Sequence, residues 1–167
     1  MAEKEFAVSE LRLSYEGLFE LEELYNHMDQ WFKRHGYDKR ETKDIETVTE
    51  DGKHIEIEWL PDKPINGYAY KAIKIRMIAS EIKEVEIEKD GKKLKMDKGK
   101  VDFVFWGALT TDWENKWENK PVLFFIRSIY NKFLYKGYNA MWKGALKADV
   151  MNLNQSIKAF LNISRYR

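Results

Sequence analysis

The 167-residue chain contains no cysteine. That excludes a disulfide framework, thiolate metal ligation and a cysteine nucleophile. Its only histidines are His27, His35 and His54. No two of them stand at a metal-ligand spacing and there is no HExxH run, so no metal site is expected. The longest apolar run, Pro121 to Ile126, stops at Arg127, far short of the roughly 20 residues that cross a bilayer. The first ten residues are charged and lack an apolar core. No signal peptide is read there, and a cytoplasmic location is expected. Neither GxGxxG nor GxxxxGK[ST] occurs, which leaves no sign of a phosphate loop. None of Ser9, Ser14, Ser80, Ser128, Ser156 and Ser164 lies in GxSxG. No cofactor, catalytic residue or enzymatic activity is expected from these absences.

What is abundant is charge. Charged residues make up 34% of the chain, and Gln30 and Gln155 are its only glutamines, which fits a heat-adapted composition. The net charge of +1 hides an asymmetry. Residues 1–60 carry 16 acids and 8 Lys/Arg, a balance of −8, whereas residues 121–167 carry one acid, Asp149, and 8 Lys/Arg, a balance of +7. A segregation of this kind creates a local field unless the two ends pack together and cancel.

Hydrophobic periodicity organises the chain as one domain over 1–167. Phe6 to Leu13 alternates as a first strand, with a slip near Ser9. Leu18, Leu21, Leu24, Tyr25, Met28, Trp31 and Phe32 recur at helical spacing, and Gly36 suits the C′ position that ends the helix. Asp51-Gly52 and Asp90-Gly91 are hairpin turn signals. They join strands over 39–50 and 54–59, and around Val85–Ile87 and Leu94–Met96. A long strand reads over 68–79 and another over 101–109. Glu56, Glu58, Glu84, Glu86 and Glu88 alternate with apolar residues and read as a solvated sheet face rather than acid–base pairs. Pro121 opens a helix predicted over 121–134. Residues 138–147 are compatible with strand or helix, and the alternation of Ala140, Trp142, Gly144 and Leu146 favours a strand. Asp149 then caps a last helix. The order is β-α-β5-α-β-α, an α+β fold with a mostly antiparallel sheet and helices packed on one face.

Two features suggest a binding surface. Trp113–Lys116 and Trp117–Lys120 repeat one tetrapeptide, placing two tryptophans four residues apart. Trp113 and Trp117 suit a contact hot spot or a base-stacking platform; the bland alternative is that they close one end of the core. The second feature is the basic C-terminal third, where Lys136, Lys143, Lys147, Lys158, Arg165, Tyr166 and Arg167 combine phosphate-neutralising cations with stacking rings. The bland alternative is a solvated helix face.

Two resemblances add to this reading. The order of a strand, a long helix, several antiparallel strands and a C-terminal helix is similar to the helix-grip, START-like proteins, which would imply a carrier of a hydrophobic ligand. The 24 aromatic residues and six methionines suit that alternative. The segments Gly17–Tyr25, Trp31–Asp38, Glu88–Lys93 and Ile157–Asn162 are more closely similar in residues to a family of small archaeal proteins that includes the ribosome dimerisation factor. That resemblance implies a homodimer which bridges two small (30S) ribosomal subunits through ribosomal protein or rRNA and blocks subunit association. It carries over no contact residues.

Overall fold

The computed structural model describes residues 3–111, 129 and 136–165. The chain runs β1 (Glu3–Phe19), α1 (Leu21–His35), β2 (Glu41–Thr49), β3 (Gly52–Trp59), β4 (Asp62–Pro64), β5 (Ala69–Lys89), β6 (Lys92–Thr111) and α2 (Lys136–Arg165). The strands form one antiparallel sheet in the order β1-β6-β5-β3-β2, with β4 paired to β5. The α+β class and the antiparallel sheet follow the sequence expectation. The β-α-β5-α-β-α order does not, because residues 138–147 are helical and not a strand. The helix expected over 121–134 falls, save for Ile129, outside the described residues.

The helical outcome at 138–147 has a packing cause. Leu146, Val150, Leu153, Ile157 and Leu161 are all buried, and their spacings of four, three, four and four make one continuous helical stripe. The alternation of 140, 142, 144 and 146 covers too few residues to outweigh it. Asp149 therefore lies inside α2 instead of capping a helix. The stripe rests on β6 at Gly107, where an added Cβ would stand 3.1 Å from Val150 Cγ2 and 3.3 Å from Leu146 Cγ. A small residue here lets helix and sheet approach closely.

The apolar faces of β1, β3, β5 and β6 meet α1 and α2 in one core. It includes Ile55, Ile57, Trp59, Ile73, Ile75, Met77, Phe103 and Phe105 from the sheet, and Leu24, Met28, Trp31 and Phe32 from α1. Helix α1 starts later than Leu18, since β1 continues to Phe19. Its first-turn Leu21 N–H donates to Asp97 Oδ2 of β6 at 3.0 Å, which satisfies a donor left open by helix geometry. Gly36 ends the helix in the left-handed region, φ 71°, with Tyr37 N–H donating to Phe32 C=O. The slip read near Ser9 corresponds to register shifts between Phe6 and Leu11.

The two long strands β5 and β6 each merge segments that the sequence suggested were separate. Their turn has Asp90 at φ 51° and Gly91 at φ 74°, the two left-handed residues of a type I′ hairpin. A register shift between Ser80 and Lys83 interrupts the pair. Beyond it, Glu84 and Lys95 form an ion pair of 2.8 Å. Among the described residues, no helix is long and apolar enough to cross a membrane.

Candidate nucleic-acid interface

Helix α2 is 30 residues long, or about 45 Å at about 1.5 Å per residue. It carries five cations, Lys136, Lys143, Lys147, Lys158 and Arg165, and a single acid, Asp149. At about 100° per residue, those five positions fall within a sector of about 60° on one flank. The sequence expectation named these residues for their charge; the helix aligns them. Lys136, Lys147 and Lys158 are exposed. Lys143 is half-buried and bound to Glu5 of β1, Nζ to Oε2 at 2.6 Å. It is thereby neutralised and marks where the basic flank meets the sheet edge. Trp113, Trp117, Tyr166 and Arg167 lie outside the described residues, and so does the side chain of Arg165.

Asp149 does not offset the basic flank, because it turns the other way. Its Oδ2 accepts from Tyr37 OH at 2.7 Å and from Lys71 Nζ at 3.1 Å. Burial, reinforced by Asp149, raises the Tyr37 phenol pKa above its ordinary value, so Tyr37 remains a donor. Two further contacts tie this side of α2 to α1. Trp31 Nε1–H donates to Asn152 Oδ1 at 2.8 Å. His27 Nε2 lies 2.8 Å from Ser156 Oγ, and the His27 ring stacks on Phe160. Asp149, Asn152, Ser156 and Phe160 thus line the docked side, three or four residues apart. His27 is therefore a helix–helix contact. Burial lowers its pKa.

With one side docked and one flank basic, the remaining surface of α2 is rich in small and apolar residues. Met141 and Met151 are exposed there, and among the described residues nothing lies within 4 Å of where a side chain would stand at Gly137 and Gly144. Tyr138 is also exposed and lies 5.9 Å from Trp142, centroid to centroid.

The opposite face of the sheet is charged but largely self-compensated. Glu56 binds Arg76 and Lys43, at 2.6 Å and 2.9 Å, and Glu58 binds Lys74 at 3.1 Å. Hydrogen bonds from Lys43 and Arg76 lower the Glu56 pKa. Glu56 and Glu58 alternate with buried Ile55, Ile57 and Trp59, as the sequence pattern predicts, but they are half-buried in these ion pairs and not fully solvated. Among the described residues, no group of three or more histidine, aspartate or glutamate side chains is arranged to hold a metal ion.

The Tyr37–Asp149–Lys71 cluster and the α1–α2 contacts have no signature in the sequence. Their partners stand between 78 and 129 residues apart, and no local pattern links them. No protein-family model matches the chain, and no curated protein matches it.

Proposed function

We propose that this protein is a non-catalytic, macromolecule-binding homodimer that associates with the small ribosomal subunit, bridges two such subunits and blocks their joining to the large one. The observation that carries the binding role is the alignment of Lys136, Lys147 and Lys158 on one exposed flank of α2, while the helix's single acid is occupied by Tyr37 and Lys71. A straight row of exposed cations about 33 Å long, from Lys136 to Lys158, suits a phosphate backbone, whose counterions it displaces. The identification of that polyanion as ribosomal rests on the resemblance to the small archaeal proteins. Pairing of two copies is supported by β2, which among the described residues is an edge strand with one unpaired side and exposes Ile45 and Val48. Such an edge is a template for a second strand, and a two-fold dimer presents the basic flank twice, as bridging requires.

The helix-grip resemblance supports a second reading, a carrier of an apolar ligand, and the sheet order with β1 beside β6 under a long C-terminal helix favours it. The close contact of Leu146 and Val150 with Gly107 weighs against it, because side chains occupy the space between helix and sheet at that point.

Co-sedimentation of the purified protein with ribosomal subunits on sucrose gradients, at low and high salt, tests the proposal. The expected result is movement into the small-subunit fraction or a heavier dimer fraction at low salt, reversed at high salt. Protein that remains at the top of the gradient under both conditions would remove the ribosomal reading.

A further inference from the structure

A different charged site lies where the β5–β6 ladder slips. The shift between Ser80 and Lys83 leaves Glu81 in the left-handed region at φ 56°, which is uncommon for a residue with a side chain. Two glycines hem in this bulge. An added Cβ at Gly99 would stand 2.9 Å from Ser80 O and 3.1 Å from Glu81 O; one at Gly52 would stand 2.8 Å from Ile82 O. The backbone is packed too closely for any other residue at these positions without a shift. Bulges of this kind re-aim side chains and recur beside functional sites.

The consequence of the slip is a juxtaposition of like charges. Lys83 pairs directly with Lys98 across the ladder, and Lys100 follows two residues along β6. Strand alternation puts Lys98 and Lys100 on the face opposite Gly99 and Val101. Directly opposed like charges destabilise a sheet. All three lysines line a cleft of about 650 Å³ together with Glu16, Asp51, Glu81 and Val85. Among the described residues, none of the three lysines forms an ion pair, although three carboxylates share the cleft.

We infer that this cleft binds a ribose phosphate, with Lys83, Lys98 and Lys100 holding the phosphate and the carboxylates accepting from the ribose hydroxyls. Ammonium groups left unpaired beside carboxylates fit a ligand that presents both an anion and hydroxyl donors. A bare phosphate would face the repulsion of Glu16, Asp51 and Glu81. A bound phosphate also relieves the Lys83–Lys98 repulsion that the fold otherwise carries. The cleft falls within the range of about 300–1,000 Å³ that small ligands occupy. The same chemistry is offered by a free nucleotide and by a nucleotide of an RNA strand. The site uses no residue of α2, so it stands or falls separately from the ribosomal reading.

The test is amide chemical-shift mapping on the full chain with AMP, adenosine, inorganic phosphate and an oligouridylate as separate probes. The expected result is saturable shifts at Lys83, Lys98, Gly99 and Lys100, with AMP bound more tightly than adenosine or phosphate alone. Saturation by AMP identifies a free-nucleotide site; saturation by the oligouridylate with no response to AMP identifies an RNA contact. Lys98→Glu should weaken the responding probe by about tenfold or more, while Glu16→Gln should weaken AMP but not inorganic phosphate. Because Lys98→Glu creates an attractive pair with Lys83, loss of binding in that variant is not attributable to unfolding, and its thermal midpoint checks this. No shift at these amides with any probe up to about 5 mM, or unchanged affinity in Lys98→Glu, would overturn the inference.

Discussion

Trp31 donates its indole N–H to the side-chain oxygen of Asn152 at 2.8 Å, and this bond joins α1 to α2 beneath the exposed surface of α2. Trp31 is 3% exposed, so the donor has little recourse to water. Asn152→Leu should leave it unsatisfied and lower stability by about 1–3 kcal/mol. Urea unfolding of the variant and the wild type measures this. An unchanged midpoint would mean that the bond contributes nothing net.

The neighbouring contact is titratable. Burial between α1 and α2 lowers the His27 pKa from its ordinary value of 6.5. The unfolded chain therefore takes up a proton that the folded chain resists. Stability should fall as pH drops through about 6.5 towards the lower folded value, and stay level above it. His27→Gln should flatten that part of the profile, as read by thermal midpoints between about pH 5 and pH 7.5. A variant that retains the wild-type slope would assign the acid sensitivity to other groups.

Two glycines near or in α2 should respond oppositely to the same change. Among the described residues nothing stands within 4 Å of a Cβ at Gly144, so Gly144→Ala should stabilise the helix interior by about 0.5–1 kcal/mol. Gly107 faces Val150 Cγ2 at 3.1 Å, so Gly107→Ala should overpack the helix–sheet contact at a cost of about 1–3 kcal/mol. Opposite shifts in the unfolding midpoint are expected; equal shifts would contradict the close approach of α2 to β6.

The basic flank makes a prediction about salt. Lys147→Glu with Lys158→Glu should weaken small-subunit binding and flatten the slope of log affinity against log salt by about 1–2, near one for each phosphate no longer neutralised. Neither side chain is buried, so the fold should be unaffected. A wild-type slope in the double variant would move the binding surface away from α2.

Elements whose signals are local were legible in the chain. The Asp90-Gly91 turn has few backbone solutions, and the Gly36 stop is a single left-handed residue. Helix α1 shows through its apolar stripe, and the cations of α2 were visible as a basic third of the sequence. Residues 138–147 were not legible, because alternation over a few residues competes with a helical period that becomes decisive only when Leu146 to Leu161 are read together.

What the sequence by itself determined is the α+β class, the two hairpins, the charge asymmetry and the absence of known catalytic motifs, all of which follow from composition, turn chemistry and short-range period. What only the tertiary structure decided is which residues meet. It turned Asp149 towards Tyr37 and Lys71, set His27 against Ser156, and placed Lys83 opposite Lys98. The physical reason is that a strand's side chains alternate with period two, so one extra residue in a bulge reassigns faces and partners along the ladder, and helix docking selects partners by space and not by distance along the chain.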